Sequence, residues 1–298
     1  MQLQWFPLAR KEARQVATSV GGWLLAVLLV LWGYRPTYTG WDGLGATITA
    51  GYVQTAGTVL LPLGALLLSY QSIVGEQSSG SAKMLFGLPL TRTDVLLGKI
   101  IGRTGGIAVP VTTAFALLGV IGLVDHGLFN PVVFLGTTIV TLAYVGVMVT
   151  IGVSVSAVVD RTVTAAGVVF GVIFLPMILL WSRIAQTLFT RLTGIPVNPY
   201  DPPASGLLFG LLRLSPSGAY HVLSNWVLGV GNSADGYDAV LTELQPQVST
   251  NAFVVEATFT TGTVPVYLHE AFCLLVFAVW VVVPLAVAQY KFTRGDVL

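Results

Sequence analysis

His126, His221 and His269, with Asp125 and Glu270 beside two of them, are the side chains of this 298-residue chain best suited to hold a transition metal. Their spacing matches no known ligand cluster, and histidines are common at membrane boundaries, so no metal site is assigned. Nucleotide hydrolysis finds no support either. Gly98-Lys99 is followed by Ile100, and no glycine precedes it at phosphate-loop spacing. No His-Glu-x-x-His helix occurs, and no Ser/His or paired-Asp arrangement suggests a protease. The expectation is a chain that is not an enzyme and binds no cofactor of its own.

The stretch Ile73–Lys99 carries a more specific signal. Ser79 is placed to cap a short helix that Pro89 must stop, leaving Met84, Leu85 and Leu88 on one exposed apolar side. Thr93 reads as the cap of the next helix, with Asp94 favourable at its positive end. A short helix that shows Met and Leu to water either lies on lipid or enters a partner's groove. The residues alone weigh those two equally.

The elements that must position this loop follow from composition. Apolar residues make up 54% of the chain and charged residues 9%, against about 25% charged in a soluble domain. Six stretches contain no Asp, Glu, Lys, Arg or His: Gln15–Tyr34, Gly43–Gly75, Thr104–Val124, Gly127–Val159, Thr162–Ser182 and Ala271–Tyr290. Each reaches the roughly 20 residues that a bilayer core of about 30 Å requires. This excludes a soluble enzyme, a DNA-binding module and a disordered chain. The fold class is all-α: a polytopic membrane protein of six transmembrane helices. The first stretch follows a basic N-terminus but lacks a small-x-small cleavage site, so it reads as a retained helix. Ion-coupled carriers usually place an ionisable residue deep in a span; these six cores have none.

The positive-inside rule orients the bundle. Arg10, Lys11, Arg14, Lys83, Arg92, Lys99, Arg103, Arg161, Lys291 and Arg294 fall on one side, and Arg35, Arg183, Arg191 and Arg213 on the other. Both termini, the Gly75–Arg103 loop and the Asp160–Arg161 turn are therefore expected to be cytoplasmic. Trp5–Val20 reads as an interfacial helix, with Phe6, Ala9, Ala13, Val16 and Val20 near one face and Arg10, Lys11 and Arg14 opposite. In the outer region, 182–270, Ser205–Leu214 is too short to cross, and Ser215-Pro216 opens a second helical stretch. Both suit short re-entrant or interfacial helices. Phe253–Thr263 reads as extended; no internal repeat is visible, and no second domain with its own core is expected. Gly152-x-x-x-Ser156 and Gly167-x-x-x-Gly171 permit close helix approach. Pro62, Pro110, Pro176 and Pro284 favour kinks. Cys273, the single cysteine, has no disulfide partner in the chain.

At this point the residues resemble a family. A span ending Tyr70-x-x-Ile73-Val74-Gly75-Glu76, then Gly80, then Leu88-Pro89-Leu90-x-Arg92 and Leu96-Leu97-Gly98-Lys99, is similar to the cytoplasmic loop of ABC-2 type permeases. These are the membrane subunits of ATP-binding-cassette transporters. Ala9-Arg10-Lys11-Glu12 looks like the start of that family's elbow helix, and Leu214–Tyr220 like its outer segment before the last span. Within the family the chain resembles in particular the permeases of nitrous-oxide-reductase maturation transporters.

The resemblance implies one transmembrane domain over 1–298, with an elbow helix in 1–20, a coupling loop in 75–99 and an extracytoplasmic region in 182–270. It implies a multi-pass protein of the cell membrane, working as a dimer with separate ATPase subunits that hold ATP and Mg²⁺. Carried over by position, Gly75, Glu76, Gly80, Lys83, Met84, Leu85, Leu88 and Arg92 become the contacts to that ATPase. Where such loops often carry more charge, this one has Gln77-Ser78-Ser79, which shifts the weight towards apolar fit. Two functions fit: a permease moving a substrate across the membrane, or an element relaying ATPase motion to an extracytoplasmic partner protein.

Overall fold

Backbone polar groups in lipid must be satisfied within the chain, so charge-free stretches of this length fold as helices. The computed structural model describes residues 5–34, 44–78, 90–245, 250–260 and 263–294. All regular structure among them is helical, apart from the isolated bridges Asn198–Asp201 and Ser233–Val254.

In chain order the helices are α1 Trp5–Ala17, α2 Val20–Gly33, α3 Ile48–Gly57, α4 Leu60–Leu67, α5 Val74–Ser78, α6 Arg92–His126 and α7 Pro131–Val158. Then follow α8 Thr162–Ala166, α9 Trp181–Thr193, α10 Gly206–Leu212, α11 Pro216–Leu228, α12 Tyr237–Glu243, α13 Val255–Thr258 and α14 Phe272–Arg294. Between α8 and α9, Gly167–Leu179 continues the helix in the wider π form. Pro176 lies inside it, and a proline there must be accommodated by a changed hydrogen-bond pattern.

Four helical segments are long and apolar enough to cross a bilayer: Arg92–His126, Pro131–Val158, Thr162–Leu179 and Phe272–Lys291. Two bent pairs pass the same test together, α1 with α2 at 57° and α3 with α4 at 44°. The chain is thus a multi-pass membrane protein with four to six crossings. The α3–α4 bend falls at Thr58-Val59, where the Pro62 ring would clash with the carbonyl four residues earlier. Lipid-facing stripes are apolar and exposed, as Val20, Leu24, Val27 and Leu31 show on α2.

The principal core lies where α3, α6, α7, α11 and α14 meet. Tyr144 of α7 stacks on Tyr220 of α11 with ring centres 4.6 Å apart, and on Phe277 of α14 at 6.0 Å. Gln54 of α3 donates to Ser224 (2.6 Å) and Asn225 (2.7 Å) of α11 and accepts from the Tyr237 amide (2.9 Å). The short outer helix α11 is therefore folded back and buried against the long ones.

Several expectations are refined by the structure. Ser215 caps α11, with Pro216 at its first position, as expected. The cap of α6 is Thr91 rather than Thr93: Thr91 and Asp94 stand at capping-box spacing and bond each other's backbone amides. Val255–Thr258 is a helical turn, not an extended strand. The outer region also has a small apolar cluster of its own, in which Phe189, Phe209, Phe253 and Leu268 meet. Buried Arg213 pins that cluster, donating to the carbonyls of Phe209 (3.1 Å) and Leu268 (2.7 Å) and to Asn232 Oδ1 (3.1 Å). Burial lowers its pKa from the ordinary arginine value.

Candidate functional site

Helices α1, α5 and α6 converge on one buried group of charges. It starts from α1, whose apolar face differs from the expected one. Leu8, Ala9, Glu12 and Val16 are buried, while Phe6 (55%) and Val20 (85%) are exposed. The buried face is turned towards α6, which presents Gly98, Gly102 and Gly106. A Cβ on Gly102 would stand 2.5 Å from the Ala9 carbonyl oxygen, and one on Gly106 2.7 Å from that of Ala13. The two backbones touch because three successive small positions on α6 remove the side chains between them.

That approach carries Glu12 into the interior, where it needs a partner. Lys99 Nζ lies 2.9 Å from Glu12 Oε1 and 2.8 Å from Glu76 Oε1, and Arg103 Nε lies 2.9 Å from Glu12 Oε2. Arg103 also donates through Nη1 to the carbonyl of Leu68, just after α4. Lys99 and Glu12 are closed to solvent, whereas Glu76 is 28% exposed. Two carboxylates and two cations form a neutral set that joins α1, the end of α4, α5 and α6.

A second fastening holds α5. The Ser156 hydroxyl, near the end of α7, accepts from the amides of Ile73 (2.9 Å) and Val74 (3.1 Å). It thereby satisfies donors at the helix start that have no partner within the helix. Helix α5 also touches α8, which follows the Val159–Arg161 turn. The short helix at the root of the loop is held by three neighbours, α6, α7 and α8, before the chain leaves it at Ser78.

Of the loop residues singled out from sequence, Gly75 and Glu76 belong to α5 and Arg92 is the first residue of α6. Gly80, Lys83, Met84, Leu85 and Leu88 lie outside the described residues. The Glu76 side chain, expected to face a partner, reaches Lys99 of its own chain. Glu12, Arg103 and Ser156 were not read as site residues. The available signal was a carboxylate at four-residue spacing from Leu8 and Val16, opposite a Gly-x-x-x-Gly-x-x-x-Gly run.

Of the other small pairs, Gly152 is packed against Ser69, whose Oγ would lie 2.1 Å from an added Cβ. Gly167 and Gly171 face open space. The three histidines stay apart. His126 Nε2 meets Tyr52 Oη at 2.7 Å, His221 Nδ1 meets the Ala234 carbonyl at 3.0 Å, and His269 approaches Glu270 at 3.6 Å. Among the described residues no three His, Cys, Asp or Glu side chains gather as a metal site.

Comparison with known proteins agrees with this architecture. A family profile described as ABC-2 family transporter protein matches residues 6–297. A probable ABC transporter permease protein NosY from Stutzerimonas stutzeri is 29% identical over 234 residues, covering 74% of this chain and 81% of its own. The protein of the same description from Pseudomonas aeruginosa is 28% identical over 246 residues, covering 75% and 82%.

Proposed function

Since the chain belongs to the ABC-2 transporter family, and is thereby the membrane permease subunit of an ATP-binding-cassette transporter, we propose that its cytoplasmic junction is where ATPase motion enters the membrane. The observation that carries this reading is the double engagement of Lys99. One ammonium group holds both the root of the loop, through Glu76, and the elbow, through Glu12. A displacement of α5 is then resisted unless α6 and α1 move with it. The loop beyond Ser78 would supply the docking helix, with Met84, Leu85 and Leu88 entering a groove on the ATPase and Gly80, Lys83 and Arg92 around them. ATP and Mg²⁺ would be held by that partner, and this chain would contribute no catalytic group.

The full arrangement follows the same reading. Each bent pair would make one crossing, giving six, with α1 as the elbow and both termini cytoplasmic in accord with the distribution of basic residues. The open Gly167–Gly171 face on the sparsely buried Thr162–Leu179 span is suited to a second copy of the chain. In a second reading, the folded outer region, with its own apolar cluster, would pass motion to an extracytoplasmic protein.

The test is made on the complex co-expressed with its ATPase. Met84→Asp with Leu85→Asp should abolish co-purification, whereas Lys99→Met should keep the ATPase bound. In that second variant, ATP-vanadate should no longer change distances between spin labels on the outer region. Retention of the ATPase by the double Asp variant, with unchanged hydrolysis, would remove the docking assignment.

A further inference from the structure

We propose that the outward face of α1 is a binding site for the headgroups of anionic phospholipids, a property separate from ATPase docking. Arg10, Lys11 and Arg14 are exposed there, and among the described residues none of the three side chains has an ion pair or hydrogen bond. They line one shallow groove together with Phe6, Pro7 and Thr18. The cations nearby that serve the fold, Lys99 and Arg103, turn inward to carboxylates. Three unpaired cations on one helical face, next to an apolar ring, match the chemistry of a phosphate carried on a lipid.

The position of this face favours lipid over an acidic protein. The exposed stripe Val20, Leu24, Val27 and Leu31 marks where hydrocarbon begins. Trp23, whose indole donates to the Ala17 carbonyl at 2.9 Å, sits at the helix break. Tryptophan settles at the level of the headgroups. Arg14 lies six residues before Val20, across the 57° bend between α1 and α2. The bend turns the basic face aside from the hydrocarbon-facing stripe, at the level where phosphates lie. Phe6, 55% exposed and edge-on to Trp5, adds an apolar contact for the acyl boundary.

Near an anionic surface each cation changes affinity by about fivefold, so removing three costs about a hundredfold. The test uses the purified full-length complex in detergent, titrated with short-chain phosphatidylglycerol or phosphatidylcholine. The parent should retain phosphatidylglycerol, and Arg10→Gln/Lys11→Gln/Arg14→Gln should lose it by about that factor. Phosphatidylcholine should be unaffected, and free inorganic phosphate should not compete at equal concentration. Arg183→Gln/Arg191→Gln, which removes outer cations, should behave as the parent. If the triple variant does not fold, a photoactivatable phosphatidylglycerol on the parent should label residues 6–18. Equal retention by parent and folded triple variant, or labelling elsewhere only, would overturn the proposal. Loss of the ATPase with lipid retention intact would assign the face to an acidic protein instead.

Discussion

Lys99 Nζ and Glu12 Oε1 stand 2.9 Å apart, joining helices far apart in the chain at a point that water does not reach. A buried pair of this kind adds little net stability, because removing two charges from water costs nearly what their attraction returns. Its effect is conditional. With all four groups present the junction is neutral; without Lys99 it carries one net negative charge, Glu12 keeping only Arg103 and Glu76 losing its partner.

Lys99→Met should therefore destabilise the protein by about 3 kcal/mol, the low end for breaking a buried pair, because Arg103 still faces Glu12. Glu12→Gln/Lys99→Met should recover part of that loss. Thermal unfolding in detergent measures both, and a double variant that is fully additive would show that the pair is not coupled.

The contact between α1 and α6 predicts opposite outcomes for neighbouring glycines. Gly102→Ala places a methyl against the Ala9 backbone and should cost about 1–3 kcal/mol as overpacking. Gly105→Ala meets nothing within 4 Å and should gain about 0.5–1 kcal/mol from helix propensity. Equal melting temperatures for the two variants would mean that α1 does not lie on this face.

Burial lowers the pKa of His221 below its ordinary value of 6.5. Its Nδ1–H donates to the Ala234 carbonyl, and Nε2 is closed to solvent without a hydrogen-bond partner among the described residues. The imidazole is thus neutral in the fold. Its contribution is complete above about pH 6.5 and is lost as pH falls from there through the folded value. Buried Asp235, with its pKa raised by burial, works in the opposite direction. The difference between parent and His221→Gln isolates the histidine: melting of the parent should fall more steeply from pH 7.5 to 5.5. Parallel slopes would refute it.

Orientation can be read by thiol labelling. Cys273 is fully buried, so a Cys273→Ser background serves only as a precaution. Single cysteines at exposed Ser78 and Lys291 should react only from the cytoplasm, and one at exposed Asp201 only from outside. Labelling of Ser78 from outside intact cells would invert the topology and remove the ATPase from this face.

The long helices were legible because lipid requires uninterrupted apolar residues, and Pro131–Val158 lies within the charge-free stretch that marks it. Breaks in the first two apolar stretches were less visible. The bend at Thr58-Val59 depends on Pro62 acting four residues upstream, and Ser19 ends the elbow by capping α2 through the Gly22 amide. The junction was half legible. Glu76 and Lys99 stood out as loop residues, but that they bind each other depends on how α5 folds against α6. Glu12 was hidden for a different reason: a charge on an apolar stripe looks like the polar edge of a surface helix until the facing helix is known. Arg213 looked like an ordinary outer cation because its partners are carbonyls, which leave no trace in side-chain chemistry.

The bare backbone contact between α1 and α6 also bears on synthesis. Helix α1 is made first, but Gly98, Gly102 and Gly106 emerge roughly eighty residues later, a wait of about 4–16 s at ordinary elongation rates. Throughout that interval Glu12 has neither Lys99 nor Arg103 to neutralise it. The nascent elbow must therefore stay in water or among headgroups while the next two hydrophobic segments are inserted. It can close only when the third arrives with both its glycines and its cations. Closure of the elbow is in this sense a checkpoint on correct insertion of the first half of the bundle.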